Sequence, residues 1–172
     1  MEKARIRLIA HTPEGLRALL KGAGVPAYLE GIRVVEGVKD FLASPDVSPE
    51  YLEKLEASTA ADPWRYGFAV VHMKDSAMIG MAGYKGPPGV GGVVEIAYAV
   101  VPAYEGRGYA TEAARALVAR AFDDDGVQTV SAHTLPEKNA STRVLEKCGF
   151  KYIGEVMDPE DGRVWRWELK RV

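Results

Sequence analysis

The chain has 172 residues, of which 47% are apolar and 27% charged, and this composition fits one soluble globular domain with a substantial core. Its net charge of −2 argues against a general nucleic-acid binder, which would carry a basic excess. No apolar run approaches the roughly 20 residues of a membrane span, and the N-terminal sequence MEKARIRL lacks the apolar core of a secretion signal.

The first third of the chain reads as a strand and two helices around a segment that is hard to assign. Alternating charged and apolar side chains predict the strand, and the pairs Thr12-Pro13 and Ser48-Pro49 are typical helix starts. The intervening segment is rich in glycine, so it is either a helix and a loop or mostly loop. In chain order the predicted elements are an edge strand over 4–10, a helix from Thr12 to Gly22, the unassigned residues 22–47, and a helix from Ser48 to about Ala60.

The rest of the chain reads as strands with two helices between them. β-branched and aromatic runs bounded by glycine, proline and aspartate predict the strands, and an alanine-rich stretch predicts a helix that packs closely on a sheet. The predicted strands cover Tyr66–Met73, Ala77–Tyr84, Val93–Val101, Val127–Thr134, Phe150–Met157 and Val164–Lys170, and the predicted helices cover about Gly108–Phe122 and Glu137–Cys148. We therefore expect an α/β fold (α+β in some schemes) over residues 1–172 as a single three-layer domain, with a mixed, mostly antiparallel sheet and helices on both faces.

A glycine turn joins the strand that ends near Val101 to the following helix. Gly106 and Gly108 lie in this turn, and a turn of this kind presents free backbone N–H groups at the positive end of a helix dipole. Such a site binds anions, most often phosphate. The dinucleotide fingerprint needs a third glycine where Thr111 stands, and the lysine motif of the phosphate loop is missing.

Two motifs at this separation resemble the Gcn5-related N-acetyltransferase family. The first follows the strand and runs Glu105, Gly106, Arg107, Gly108, Tyr109, Ala110, against the family pattern Gln/Arg-x-x-Gly-x-Gly/Ala. The second runs from Asn139 through Ser141 and Arg143 to Gly149-Phe150. The amino-acid sequences of both motifs are most similar to those of the branch that contains the ribosomal-protein N-terminal alanine acetyltransferases. The match covers about residues 64–170.

The resemblance implies acetyl-CoA as co-substrate and a site between two strands that splay apart, here Val93–Val101 and Val127–Thr134. The pantetheine arm is expected to pair with the backbone of Ala99 and Val100. The pyrophosphate is expected at the turn and helix start. The implied cofactor residues are Ala99, Val100, Gly106, Arg107, Gly108, Tyr109, Ala110, Thr111, Asn139 and Arg143.

Acyl transfer to an amine needs a group that removes a proton and a donor for the departing thiolate. Glu95 is a carboxylate within an apolar strand, so it is either an outward-facing solvated residue or the general base, acting through water. Ser141 is either a helix cap or the donor to the coenzyme A sulfur. The family often uses a tyrosine on this short helix, where this chain has Leu145.

Several neighbouring residues also have two interpretations. Asn139 is either a helix N-cap or a cofactor contact. Glu105 departs from the family pattern, and an acidic group beside a pyrophosphate weakens binding unless it points away or a base such as Arg107 offsets it. The sole cysteine, Cys148, is expected to be a small core residue, and His133 to be structural or exposed on its strand. With one cysteine and three scattered histidines we expect no metal site.

The acceptor is expected to approach opposite the coenzyme A tail, between Lys21–Pro49 and Met157–Arg166. Apart from Lys21, which is the first residue of the first segment, acidic residues outnumber basic ones there by seven to four, which favours a cationic acceptor. The acids are Glu30, Glu36, Asp40, Asp46, Asp158, Glu160 and Asp161, and the bases are Arg33, Lys39, Arg163 and Arg166.

We expect a primary amine, with a peptide α-amine ahead of a polyamine or aminoglycoside, in a cytoplasmic protein that makes no membrane or nucleic-acid contact. A homodimer is one expected state, since the family is often dimeric. The alternatives are a non-catalytic or regulatory acyl-CoA-binding module and a nucleotide-binding module.

Overall fold

The computed structural model describes residues 3–22, 24–42, 49–57 and 62–172. Within these residues the chain forms eight strands and six α-helices. The strands are β1 (Ile6–Ala10), β2 (Arg33–Val34), β3 (Phe68–His72), β4 (Ala77–Tyr84), β5 (Val93–Val100), β6 (Thr129–Thr134), β7 (Lys151–Asp158) and β8 (Gly162–Lys170). The helices are α1 (Pro13–Lys21), α2 (Val38–Leu42), α3 (Pro49–Ala57), α4 (Pro63–Tyr66), α5 (Tyr109–Asp123) and α6 (Ala140–Lys147).

One mixed sheet organises the described residues. Its strand order is β1-β3-β4-β5-β6-β8-β7, and the short β2 pairs with β4. The pairs β2–β4 and β5–β6 are parallel, and the other neighbours are antiparallel. The predicted mixed, mostly antiparallel sheet with helices is therefore confirmed.

The parallel β5–β6 pair is short. It joins Val93–Glu95 to Thr129–Ser131, whereas β5 continues to Val100 and β6 to Thr134. β5 pairs with β4 as far as Val100, and β6 pairs with β8 as far as Thr134, so both strands remain strands beyond their last shared rung. The sheet therefore opens between β5 and β6, as the predicted splay requires.

The core lies where α5 packs against the centre of the sheet. Ala113, Ala114, Leu117 and Ala121 are fully buried on one side of α5, and α5 contacts β4 and β5. Alanine has no side chain beyond Cβ, so the helix can approach the strands closely. The hydroxyl of Tyr84 donates to the backbone carbonyl of Leu117, which satisfies a polar atom in this layer.

Local chemistry explains where the helices begin. The Thr12 hydroxyl accepts from the backbone N–H of Gly15 at 2.9 Å, and Gly22 ends α1 with a φ of 65°, so the predicted helix is confirmed. The helix predicted from Glu137 begins instead at Ala140, because Asn139 is its N-cap.

Three further predictions differ from the structure or extend beyond it. The strand predicted from Tyr66 begins at Phe68, because Asp62 caps one helical turn through Tyr66. The unassigned segment contains a 3₁₀ turn over Ala27–Leu29, then β2 and α2. Residues 43–48 and the predicted helix end at 58–60 lie outside the described residues.

A buried histidine between β1 and α1 makes stability depend on pH. His11 is 1% exposed, its Nδ1 lies 2.7 Å from the Tyr28 hydroxyl, and its Nε2 has no hydrogen-bond partner among the described residues. Burial lowers the pKa of His11 from 6.5 to about 4. Below pH 6.5 the unfolded chain therefore binds a proton that the folded chain does not accept until about pH 4.

We expect the free energy of unfolding to fall by about 3 kcal/mol between pH 7 and pH 4 through His11 alone. Denaturant titrations at intervals across this range measure the slope. His11→Phe keeps a ring of similar size without a titrating group, so its slope should be smaller by up to one proton. Equal slopes in the two proteins would show that His11 does not titrate with folding.

Candidate active site

A cleft of about 800 Å³ opens beside the end of β5, where β5 no longer pairs with β6. It is bounded by the end of β5, the turn after it, the first turn of α5 and one side of α6. The lining residues are Phe41, Tyr98, Ala99, Val100, Tyr104, Glu105, Gly106, Gly108, Tyr109, Ala110, Thr111, Ala140, Ser141, Arg143, Val144 and Lys147. Of the predicted site residues, the structure brings together Ala99, Val100, Gly106, Gly108, Tyr109, Ala110, Thr111, Ser141 and Arg143 in this cleft.

The β5 wall of the cleft presents backbone that has no neighbouring strand on the β6 side. Ala99 and Val100 pair with Met81 and Gly80 of β4, and the β5–β6 register has already ended at Glu95. Backbone N–H and C=O groups that point toward β6 are therefore available to a ligand. An extended ligand with amide groups can occupy the position of the missing strand.

The turn and the start of α5 form an anion-binding surface at the cleft. Gly106 and Gly108 have φ values of 75° and 86°, a backbone region that favours glycine. The first intrahelical bond runs from Glu112 N–H to the Gly108 carbonyl, so the N–H groups of Tyr109, Ala110 and Thr111 precede it. These groups and the helix dipole favour a phosphate.

The side chain of Arg5, which precedes β1, contacts this turn and holds its backbone in place. Its guanidinium donates to the Arg107 carbonyl at 2.9 Å, lies 2.8 Å from the Glu112 carboxylate and stacks over the Tyr109 ring at 4.7 Å. Nε2 of His72 lies 2.9 Å from the Tyr109 hydroxyl. Arg5 and His72 were not predicted, because contacts more than 30 residues apart in the chain leave no local pattern.

Of the predicted residues in and next to α6, some line the cleft and one does not. Ser141, Arg143 and Lys147 line the cleft, so two bases are available to offset the carboxylate of Glu105, which also lines it. Asn139 does not line the cleft. Its side chain accepts from the Thr142 N–H at 3.0 Å, and the Thr142 hydroxyl accepts from the Asn139 N–H at 2.9 Å, so these residues form a capping box.

Arg107 is also placed away from the cleft lining. Its guanidinium lies over the Tyr104 ring at 5.7 Å, and its carbonyl is held by Arg5. Arg107 therefore contributes to the shape of the turn through its backbone, and the structure does not turn its charge toward the cleft.

Tyr98 places a phenol in the cleft that was predicted only as part of the strand. Burial raises the pKa of Tyr98, with a smaller effect from Cys148, so the hydroxyl keeps its proton at neutral pH. Leu145, at the position where the resembling family often has tyrosine, is fully buried in the core. Burial also raises the pKa of the Cys148 thiol, which favours the unreactive protonated form.

Glu95 lies at the closed end of the splay and does not line the cleft. Successive strand residues face opposite sides of the sheet, so Glu95 points away from the face on which Tyr98 lies. Its Oε2 is 3.1 Å from Nζ of Lys85 and 3.1 Å from Nδ1 of His133. The Glu95 side chain is 22% exposed and contacts both of these groups, so it is only partly solvated, and its role as general base stays a prediction.

Two structural absences apply to the described residues. No group of three or more histidine, cysteine, aspartate or glutamate side chains among them could hold a metal ion. None of the helices over the same residues combines the length and apolar character that crossing a bilayer requires.

The sequence matches the acetyltransferase (GNAT) domain over residues 5–151. This match covers most of the chain, so the chain belongs to the GNAT acetyltransferase family. The splay and the glycine turn of the structure are the features that the resemblance to this family implied.

Individual N-acetyltransferases are similar to a smaller part of the chain than the family match covers. The uncharacterized N-acetyltransferase YjdG of Bacillus subtilis (strain 168) is 28% identical over 111 residues, 64% of each chain. The probable N-acetyltransferase YjcK of the same organism is 32% identical over 106 residues, 61% of this chain and 56% of the relative. The chain thus matches less than two thirds of the length of either relative.

Several similar solved structures contain coenzyme A. One of them is the aminoglycoside acetyltransferase AAC(6')-Ib in complex with coenzyme A, which is 25% identical, with a TM-score of 0.63 over 96% of this chain and 95% of that chain. The fold is therefore the acyl-CoA N-acyltransferase fold.

The two interpretations of Asn139 predict different mutant behaviour. Asn139→Ala removes the cap and should lower the free energy of unfolding by about 1 kcal/mol, whereas Asn139→Ser keeps a capping oxygen and most of the stability. Denaturant unfolding measures both. A serine variant with normal stability but weakened acetyl-CoA binding, followed by titration, would show that the amide contacts the ligand as well.

Proposed function

We propose that this protein is an acetyl-CoA-dependent N-acetyltransferase that transfers the acetyl group directly to a primary amine in a ternary complex. The observation that carries the proposal is the cleft at the splay, which combines unpaired β5 backbone with the free N–H groups at the start of α5. This combination suits a ligand with an amide-bearing arm at one end and a pyrophosphate at the other.

The cofactor contacts follow from the cleft. The N–H groups from Gly108 to Thr111 would bind the pyrophosphate, with Arg143 supplying positive charge from α6. Val100 would pair with the pantetheine amides, because its backbone groups point away from β4, whereas Ala99, whose N–H and C=O face Met81 of β4, would contact the arm as part of the cleft wall. Gly106 and Arg107 shape the turn, and Asn139 sets the start of α6. These three residues would contribute to binding by positioning the groups that contact the cofactor.

The catalytic roles are divided between the two faces of the sheet. Glu95 would drive removal of the proton from the acceptor amine on the face opposite the cofactor tail. Ser141 lines the cleft and would donate a hydrogen bond to the departing sulfur. Tyr98 carries a protonated hydroxyl in the same cleft and is a second donor for this step.

The acceptor is proposed to be a peptide α-amine, with a small polyamine or aminoglycoside as the second choice. The peptide preference rests on the resemblance to the ribosomal-protein N-terminal acetyltransferase branch. The second choice gains support from the aminoglycoside acetyltransferase among the similar structures. Both are cationic, which suits the acidic excess of the two segments expected to contact the acceptor.

A panel of short peptides with varied first residues, polyamines and aminoglycosides tests the function by release of coenzyme A. Turnover with at least one primary amine is expected. Turnover confined to hydroxyl or carboxylate acceptors would overturn the amine assignment. Binding of acetyl-CoA without turnover on any member would favour the non-catalytic acyl-CoA module.

The cofactor site is tested by Gly108→Asp. Acetyl-CoA at 100 times its Kd should stabilise the wild type by about 2.7 kcal/mol and raise its melting temperature. The aspartate strains a positive-φ backbone, and its Cβ would lie 3.1 Å from the Arg5 guanidinium that holds the turn, so the variant should abolish that rise.

Gly91→Asp is the matched control for this variant. Gly91 also has a positive φ, 75°, with open space around its Cβ position, and it does not line the cleft. It should therefore keep the acetyl-CoA shift despite a similar backbone strain. An unshifted wild type at millimolar acetyl-CoA, or equal stabilisation by NAD, would contradict the proposed cofactor.

Glu95→Gln and Ser141→Ala test the two catalytic roles. Glu95→Gln should lower kcat while the acetyl-CoA thermal shift is kept, because Glu95 does not line the cofactor cleft. Ser141→Ala should slow turnover less, since Tyr98 or water can replace the donor. Wild-type kcat in Glu95→Gln, measured at saturating amine, would remove Glu95 from the mechanism.

A further inference from the structure

A carboxylate–imidazole pair stands at the closed end of the splay. Glu95 and Ser131 form the last rung of the β5–β6 pair, and His133 lies two residues further along β6, on the same face as Ser131. Nδ1 of His133 is 3.1 Å from Oε2 of Glu95. The angle of this contact lies outside the range of a good hydrogen bond, and Nδ1 is buried. Catalytic hydrogen bonds are often poorly aligned before the substrate is bound.

The carboxylate of Glu95 bears on which nitrogen of the imidazole is available. A carboxylate can only accept, so once the contact aligns into a hydrogen bond it favours the tautomer that carries hydrogen on Nδ1 and leaves a lone pair on Nε2. The His133 side chain is 15% exposed. Because Nδ1 is buried, the exposed part belongs to the rest of the ring, which includes Nε2.

We infer that His133 is a catalytic residue of this protein. Its Nε2 accepts the proton of the acceptor amine, and the carboxylate of Glu95 orients the imidazole and stabilises the imidazolium that forms. This inference rests on the proposed function and names which side chain performs its proton removal. It replaces the expectation that His133 is structural or exposed on its strand with a catalytic role, which the variants below test.

The general chemistry of the two side chains favours this division of work. A general base is most effective when its pKa lies near the working pH. An unperturbed imidazole titrates near pH 6.5, whereas a glutamate carboxyl titrates near 4.3. A carboxylate behind an imidazole then stabilises the imidazolium that forms, as in other carboxylate–histidine pairs.

The other charges around the imidazole are compatible with this role. Lys85, which follows β4, shares Oε2 of Glu95 at 3.1 Å. Arg166 of β8 stands opposite His133, and its guanidinium is neutralised by Glu168 at 2.9 Å. Backbone N–H groups of Asp161 and Glu160 lower the pKa of Asp158 at the end of β7, and Lys85 and His133 add to this effect.

The step balances with the groups named. The ammonium form of the acceptor loses one proton to Nε2 of His133, and its nitrogen forms a bond to the acetyl carbon. The bond from that carbon to sulfur breaks, and the sulfur leaves with the electron pair. The nitrogen releases its second proton as the amide forms, and this proton balances the one that the sulfur takes up to become the thiol of coenzyme A. One proton passes from His133 to solvent, so each turnover releases one proton overall.

Two variants separate proton acceptance from mere orientation. His133→Asn keeps a nitrogen donor near the position of Nδ1 and lacks Nε2. It should lower kcat by about 100-fold or more and remove the acidic limb of the pH–rate profile. Glu95→Gln should lower kcat roughly tenfold or more yet keep the limb, because the imidazole that accepts the proton is still present.

Acetyl-CoA thermal shifts report on folding in each variant, because neither residue lines the cofactor cleft. Arg65→Gln is the control for the loss of a charged partner, because it removes the exposed ion pair between Arg65 of α4 and Asp62. Its kcat and pH–rate profile should match those of the wild type.

The opposite pattern would overturn the inference. If His133→Asn keeps the rate and the limb while Glu95→Gln loses the limb, Glu95 itself is the base and the proposed function stands. If both variants keep the limb, neither residue accepts the proton. A wild type that releases no coenzyme A with any amine overturns the proposed function and the inference together.

Discussion

The end of hydrogen bonding between β5 and β6 is the constraint on which the rest of the site depends. The two strands share three residue pairs and then separate, although each stays paired with its other neighbour. This separation leaves β5 backbone unpaired beside the start of α5 and the side of α6. It also sets Glu95 and His133 at the point where the opening closes, on the face opposite Tyr98.

Local electrostatics compensate for a chain with a net charge of −2. The cleft holds Glu105, an acidic residue where a basic or amide side chain is typical of the family. Arg143 and Lys147 of α6 line the same cleft, and the N–H groups at the start of α5 add a partial positive charge. Arg5 fixes the turn that presents those groups, so it contributes through geometry. Arg143 and Lys147 contribute through their positive charge.

The sequence predicted those parts of the fold that depend on neighbouring residues. The start and end of α1, all of β4 and nearly all of α5 follow from capping residues, β-branched runs and alanine content. The start of α6 was missed because Asn139 and Thr142 form a capping box that displaces the start from Glu137. The pairing of Glu95 with His133 and of Arg5 with Glu112 depends on strands and helices far apart in the chain, so no local pattern reveals it.

The central claim is that the splay holds acetyl-CoA with its reactive end beside Glu95 and His133. A crystal structure of the protein with coenzyme A tests this directly. The account predicts pyrophosphate oxygens within hydrogen-bond distance of the N–H groups of Tyr109 to Thr111 and the sulfur between β5 and β6 at the closed end of the splay. Coenzyme A bound elsewhere, or with its sulfur at the open mouth of the cleft, would contradict it.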